Sequence, residues 1–139
     1  MRTIIMAVGV SLLPSLGCGG GPETAKVTGT VLLDGNPLSQ GKVIFRPENG
    51  KVAEGEIASD GTFRLGTFSD SDGALLGKHK VAVMAYSKAN WPPKYDQPDG
   101  SVDSGSLIPL FYTSPDSSGL EYDVESGGND FTIELKSKN

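Results

Sequence analysis

From Val27 to Leu33 the side chains alternate: Val27, Gly29, Val31 and Leu33 fall on one face, Thr28, Thr30 and Leu32 on the other. A period of two is that of a β-strand, and the Asp34-Gly35-Asn36-Pro37 that follows has the composition of a turn. Pro37 also keeps Asn36 out of the helical region. Lys42 to Arg46 alternates again, with Val43 and Phe45 inward, and Pro47 closes it because proline brings no N–H to a ladder. Together these runs, from Lys26 to Pro47, read as a β-hairpin. The pattern then repeats. Val52–Ser59 and Thr62–Thr67 flank Asp60-Gly61, with Ile57, Phe63 and Leu65 as expected core residues and Glu54 and Glu56 on a solvated face. Gly77–Tyr86 puts His79, Val81, Val83 and Ala85 on one face, and Leu120–Val124 and Phe131–Lys136 alternate around Gly127-Gly128-Asn129. Seven such runs at regular spacing, with no run of helical period, predict an all-β fold: a seven-stranded antiparallel β-sandwich.

Two stretches break the pattern. The first is Met1 to Cys18, with Arg2, an apolar run from Ile4 to Leu13 and small residues at its end. This ten-residue run falls short of the roughly 20 a helix needs to cross a bilayer, so it reads as a secretory signal. Leu16-Gly17-Cys18 resembles the lipobox of bacterial lipoproteins, with Ser15 where leucine is usual. That resemblance implies an acylated Cys18, carrying a palmitate-type chain, as the new N-terminus. Ordinary signal-peptidase cleavage is the alternative, because Ser15 and Gly17 also make a small-x-small site. A free thiol in an exported protein would be reactive, which favours lipidation. The expected organisation is a signal peptide over 1–17, the lipidated cysteine and a flexible linker over 18–25, and the sandwich over 26–139. The protein is then exported and lipid-anchored to the cell membrane or outer membrane, with the domain in the periplasm or at the cell surface.

The second is Ser87 to Ser106, which has no period and holds three of the nine prolines. A loop of this length in a small domain is functional or mobile. Its Trp91-Pro92-Pro93 and Tyr95 make it the best binding candidate, since aromatics on a proline-stiffened loop stack on sugars or dock on proteins with little entropy to lose. The plainer reading has Trp91 folding back over the sandwich edge.

Composition narrows the partners. The chain carries 12 basic and 17 acidic residues, for a net charge of −5. An acidic chain without a basic cluster is repelled by nucleic acid. A single cysteine excludes an internal disulfide framework.

The order of motifs resembles that of carboxypeptidase-regulatory-like, transthyretin-like domains of small exported bacterial lipoproteins. The resemblance rests on GTVLLDGNPLSQGKVIFRP, on Ser59-Asp60-Gly61-Thr62-Phe63-Arg64-Leu65, on Asp72-Gly73-Ala74 through Gly77-Lys78-His79-Lys80-Val81, on Pro109 with Tyr112, and on Ser118-Gly119-Leu120 and Asn129-Asp130-Phe131. It covers Lys26 to Lys136 apart from the Ser87–Ser106 loop, and it departs at His79, where tyrosine is commoner. It implies a structural or binding role in the cell envelope, no catalytic residues and no cofactor.

Residue chemistry agrees with a non-enzymatic reading. His79 is the only histidine, so any Ser-His-Asp or Cys-His arrangement must use it, yet its parity places it, half-buried, beside Val81 and Val83. Glu54 and Glu56 point the same way, whereas a glycosidase needs its carboxylates on either side of a sugar. Asp70-Ser71-Asp72-Gly73 resembles a fragment of a calcium loop, but Val81 stands where the twelfth-position glutamate belongs. The expected function is a non-catalytic, membrane-tethered sandwich that contacts an envelope protein or glycan. The alternatives are a calcium-stabilised or carbohydrate-binding module, or an accessory to an envelope hydrolase.

Overall fold

The alternating runs do form strands. The computed structural model describes residues 23–87 and 105–137. Among them are ten β-strands and no α-helix: β1 Thr24–Ala25, β2 Val27–Leu33, β3 Asn36–Pro37, β4 Lys42–Pro47, β5 Ala53–Glu56, β6 Thr62–Arg64, β7 Ala74–Leu75, β8 Gly77–Met84, β9 Leu120–Val124 and β10 Asn129–Leu135. Each of the seven longer ones overlaps an expected run: β5, β6 and β8 are shorter than expected, β4 extends to Pro47 and β10 begins two residues earlier, at Asn129. The three two-residue strands are too short for periodicity to reveal.

The strands build two four-stranded sheets in a β-sandwich-like arrangement. One has β2 at its centre, with β10 on one side and both β3 and β6 on the other; the second runs β5-β4-β8-β9. A small third pairing joins β1 to β7. The inward positions of both large sheets meet in one core, where Val27, Val31, Ile133 and Leu135 pack with Val43, Phe45, Val81 and Val83. Phe45 is its hub, with ring centroids 6.4 Å from Phe63, 6.0 Å from Tyr122 and Phe131, and 5.7 Å from His79.

Two expectations need correction. The sandwich is not antiparallel throughout, because β10 lies parallel to β2 over seven residues, from Asn129↔Val27 to Leu135↔Leu33. Period-two alternation is the same for either direction, so only the path of the chain decides it. Nor is Lys26–Pro47 a hairpin. Asp34 and Gly35, at φ 51° and 83°, turn the chain onto β3, which pairs with the end of β2. The chain then crosses to the other sheet before β4 begins. The same crossing separates β9 from β10. A pair of strands with one apolar face needs cover, and sending each strand to the opposite sheet provides it.

The folded part also starts earlier than the sequence suggests. Thr24 and Ala25, expected at the end of the linker, pair with Leu75 and Ala74, and Ala25 is buried in the core.

The sandwich has two distinct ends. At the amino-terminal end, Asn129 N–H donates to Lys26 O at 2.9 Å, Leu65 N–H to Val27 O at 3.0 Å and Leu76 N–H to Glu23 O at 3.4 Å. At the far end, Asp34 N–H donates to Leu135 O at 2.9 Å, and Lys136 N–H to the Tyr112 hydroxyl at 3.1 Å.

Candidate functional site

Cys18, Trp91 and Tyr95 lie outside the described residues. The base of the Trp91 loop is described, and it belongs to the far end. Tyr86 and Ser106 form an antiparallel bridge, Ser87 N–H donates to Gly105 O at 2.9 Å, and Leu107 N–H to Ala85 O at 2.8 Å. Gln40 Nε2 adds a bond to Tyr86 O at 2.7 Å. This base opens at the end opposite β1.

His79 is not half-buried but wholly buried. It occupies an inward position of β8, edge-on to Phe45, and its Nε2 lies 2.7 Å from Leu75 O. A carbonyl can only accept, so Nε2 is the donor in this bond. Nδ1 is buried with no hydrogen-bond partner among the described residues. The chain's only histidine therefore sits in the core, out of reach of a substrate.

Asp72 is fully employed by its own loop. Its Oδ1 accepts from Thr67 N–H at 2.6 Å, and its Oδ2 from Phe68 N–H at 3.0 Å and Ser69 N–H at 3.2 Å. Partial desolvation pushes its pKa up, but the three N–H donors outweigh that and hold it below the usual carboxylate value. Thr67 Oγ1 donates to Gly73 O at 2.7 Å. Both ends of the 66–73 turn are thus fixed. The fragment that resembled a calcium loop is a carboxylate clamp on backbone donors, and no group of three metal-ligating side chains occurs among the described residues.

This clamp presents Phe68, a residue the sequence reading passed over between a strand and a turn. Its side chain is 53% exposed. It forms part of a cleft of about 710 Å³ between the outer edge of β5 and the 66–71 turn. Lys51 Nζ lies over the ring, 5.3 Å from its centroid. Glu54 and Glu56 do share an exposed face, as their parity required, and both line this cleft. Glu54 is paired with Lys42 at 3.1 Å. A large apolar side chain with no alternation partner, next to Ser-Asp-Ser-Asp, was the available signal.

A second polar patch lies on the outer face of β4 and β8. Asp116 receives a two-pronged bond from Arg46 and stands 3.9 Å from Lys80. Hydrogen bonds from Arg46, then its charge, with a smaller contribution from Lys80, hold the Asp116 carboxyl below its usual range. The contact ties the 114–118 turn to the sheet, where Ser118 Oγ donates to Val81 O. Nothing about it is visible in local spacing, since 70 residues separate the partners.

Compared with known proteins, the chain matches no family model and no curated protein.

Proposed function

We propose that the chain is a non-catalytic, membrane-tethered lipoprotein whose β-sandwich serves a structural or binding role in the cell envelope. The observation that carries this reading is the fixed amino-terminal end. β1 is paired with β7 and Ala25 is buried, so the chain that follows Cys18 leads directly into a rigid strand. Six residue steps separate Cys18 from Thr24 and can reach no more than about 20 Å. An acylated Cys18 would hold this end against a membrane, with the base of the Trp91 loop turned away from it.

Other findings support the remaining parts. The seven longer strands divide three and four between the facing sheets, which suits a seven-stranded, transthyretin-like domain. The enclosed His79 leaves no imidazole to activate a nucleophile. Engagement of both Asp72 oxygens makes calcium stabilisation the weaker alternative. The Phe68 cleft favours a binding module, and it joins Trp91 and Tyr95 as a place of contact with an envelope protein or glycan.

Mass spectrometry of the N-terminal peptide from a membrane fraction tests the tether. Acyl mass on Cys18, and release of the Cys18→Ser variant into the soluble fraction, are expected; an unmodified Cys18 peptide overturns the lipoprotein reading. Capture of envelope material tests the contacts. Equal capture by Trp91→Ala and Tyr95→Ala variants removes that loop.

A further inference from the structure

The Phe68 cleft says more about its ligand than that there is one. A phenylalanine ring 53% exposed is held on a turn whose Thr67, Phe68 and Ser69 N–H groups are all fixed by Asp72, so the backbone that carries it needs no ordering to meet a ligand. An ammonium already lies over that ring, that of Lys51 at 5.3 Å. Three carboxylates line the cleft with two ammonium groups. Lys42 is committed to Glu54, which leaves Glu56 and Asp70 without an ion pair among the described residues. The negative edge of this balance and the electron-rich ring face both favour the same chemistry.

We propose that the cleft binds a protonated amine or guanidinium group. Phe68 supplies the cation–π face, Glu56 and Asp70 supply the countercharge, and Lys51 is an internal competitor that covers the ring when no ligand is present. This inference rests on the binding-module reading and names the ligand class for it. The cation belongs to a free polyamine or to a basic side chain of a peptide; the two share one chemistry and are separated by the choice of probe.

The test is a titration of the ¹⁵N-labelled full chain in detergent with spermidine, with tri-lysine and with uncharged maltotriose. Both cations, or tri-lysine alone if the ligand is peptide-borne, move the amide resonances of residues 66–71, and added salt weakens the effect. Phe68→Leu weakens binding about two- to fivefold, the worth of one exposed cation–π contact. Lys51→Ala tightens it by a similar factor; a lysine that merely props the turn would weaken binding when removed, and that result overturns the competitor role. Glu56→Gln with Asp70→Asn weakens binding without moving the melting temperature. If maltotriose shifts these resonances and neither cation does, the cation inference fails while the binding-module reading stands. If no probe shifts them, the inference fails, and Phe68-dependent capture of envelope material then decides the broader reading separately.

Discussion

Two regions of the sandwich are held by different means. The amino-terminal end is held by backbone: β1 on β7, Gly73 pressed against Ala25, and the Asp72 carboxylate on three successive N–H groups. The outer face of β4 and β8 is held by side chains reaching across the fold, Asp116 on Arg46 and Lys80, and at the far end the Tyr112 hydroxyl adds to the backbone bonds by accepting from Lys136 N–H. Backbone closure leaves no rotamers to order and little for solvent to compete with. Exposed ion pairs contribute little, because water and salt screen them and two long side chains lose freedom in making them. The amino-terminal end is therefore the more firmly held of the two regions.

The comparison breaks most visibly at Gly73. Its φ is 91°, and a Cβ there would run into Ala25 O and the Lys26 nitrogen. Gly73→Ala combines a left-handed backbone with a clash against another backbone, so unfolding by denaturant should show a loss of about 2–5 kcal/mol. Loss of amide protection at Ala25 and Leu75, ahead of the core strands, is expected with it; unchanged protection there would mean that β1 does not depend on this contact.

Next in size is Asp72→Ala. Water can take over the Phe68 and Ser69 donors, but Thr67 is buried, so the loss is about 1–2 kcal/mol. The pH dependence gives a sharper measure. The folded pKa of Asp72 lies below its unfolded value, so its stabilisation is complete above the ordinary carboxyl pKa of about 3.9 and is lost as pH falls through the lower folded value. The stability gap between the native chain and Asp72→Asn is thus full at neutral pH and closes on acidification below about pH 4. A gap independent of pH would show that charge plays no part in the clamp.

At the far end, Tyr112→Phe removes one hydrogen bond from a buried ring and should cost about 1 kcal/mol by the same denaturant measurement. Arg46→Ala ranks last. Both partners of that pair are exposed, so only a small change in melting temperature is expected, and added salt should shrink it further. An Arg46→Ala effect larger than that of Asp72→Ala would reverse the ranking of the two regions.

These contrasts bear on how the fold could be read beforehand. Alternation at Val27–Leu33, Lys42–Arg46 and Gly77–Tyr86 located the long strands and their inward residues because the period of a strand is a local property. Asp34-Gly35 announced its turn for the same reason. The partner of each strand was not local. The run from Lys26 to Pro47 read as a hairpin, yet its strands joined opposite sheets, and β10 lay parallel to β2. The candidate site was less accessible still. Phe68 acquires meaning only when Asp72 fixes its turn and β5 brings Glu54 and Glu56 alongside, and Arg46 meets Asp116 only through the folding of the whole second sheet. The half-buried reading of His79 failed because facing inward says nothing about how completely the opposite sheet covers a position.

Residue order alone settled where backbone must extend, where it must turn and which side chains face inward, since these follow from sterics and from hydrophobic alternation within a few residues. Tertiary packing chose which strands became neighbours and in which direction, because many pairings satisfy the same alternation and only one buries all the apolar faces together. The same packing enclosed His79, docked β1 on β7 and left one exposed phenylalanine ring facing a polar cleft.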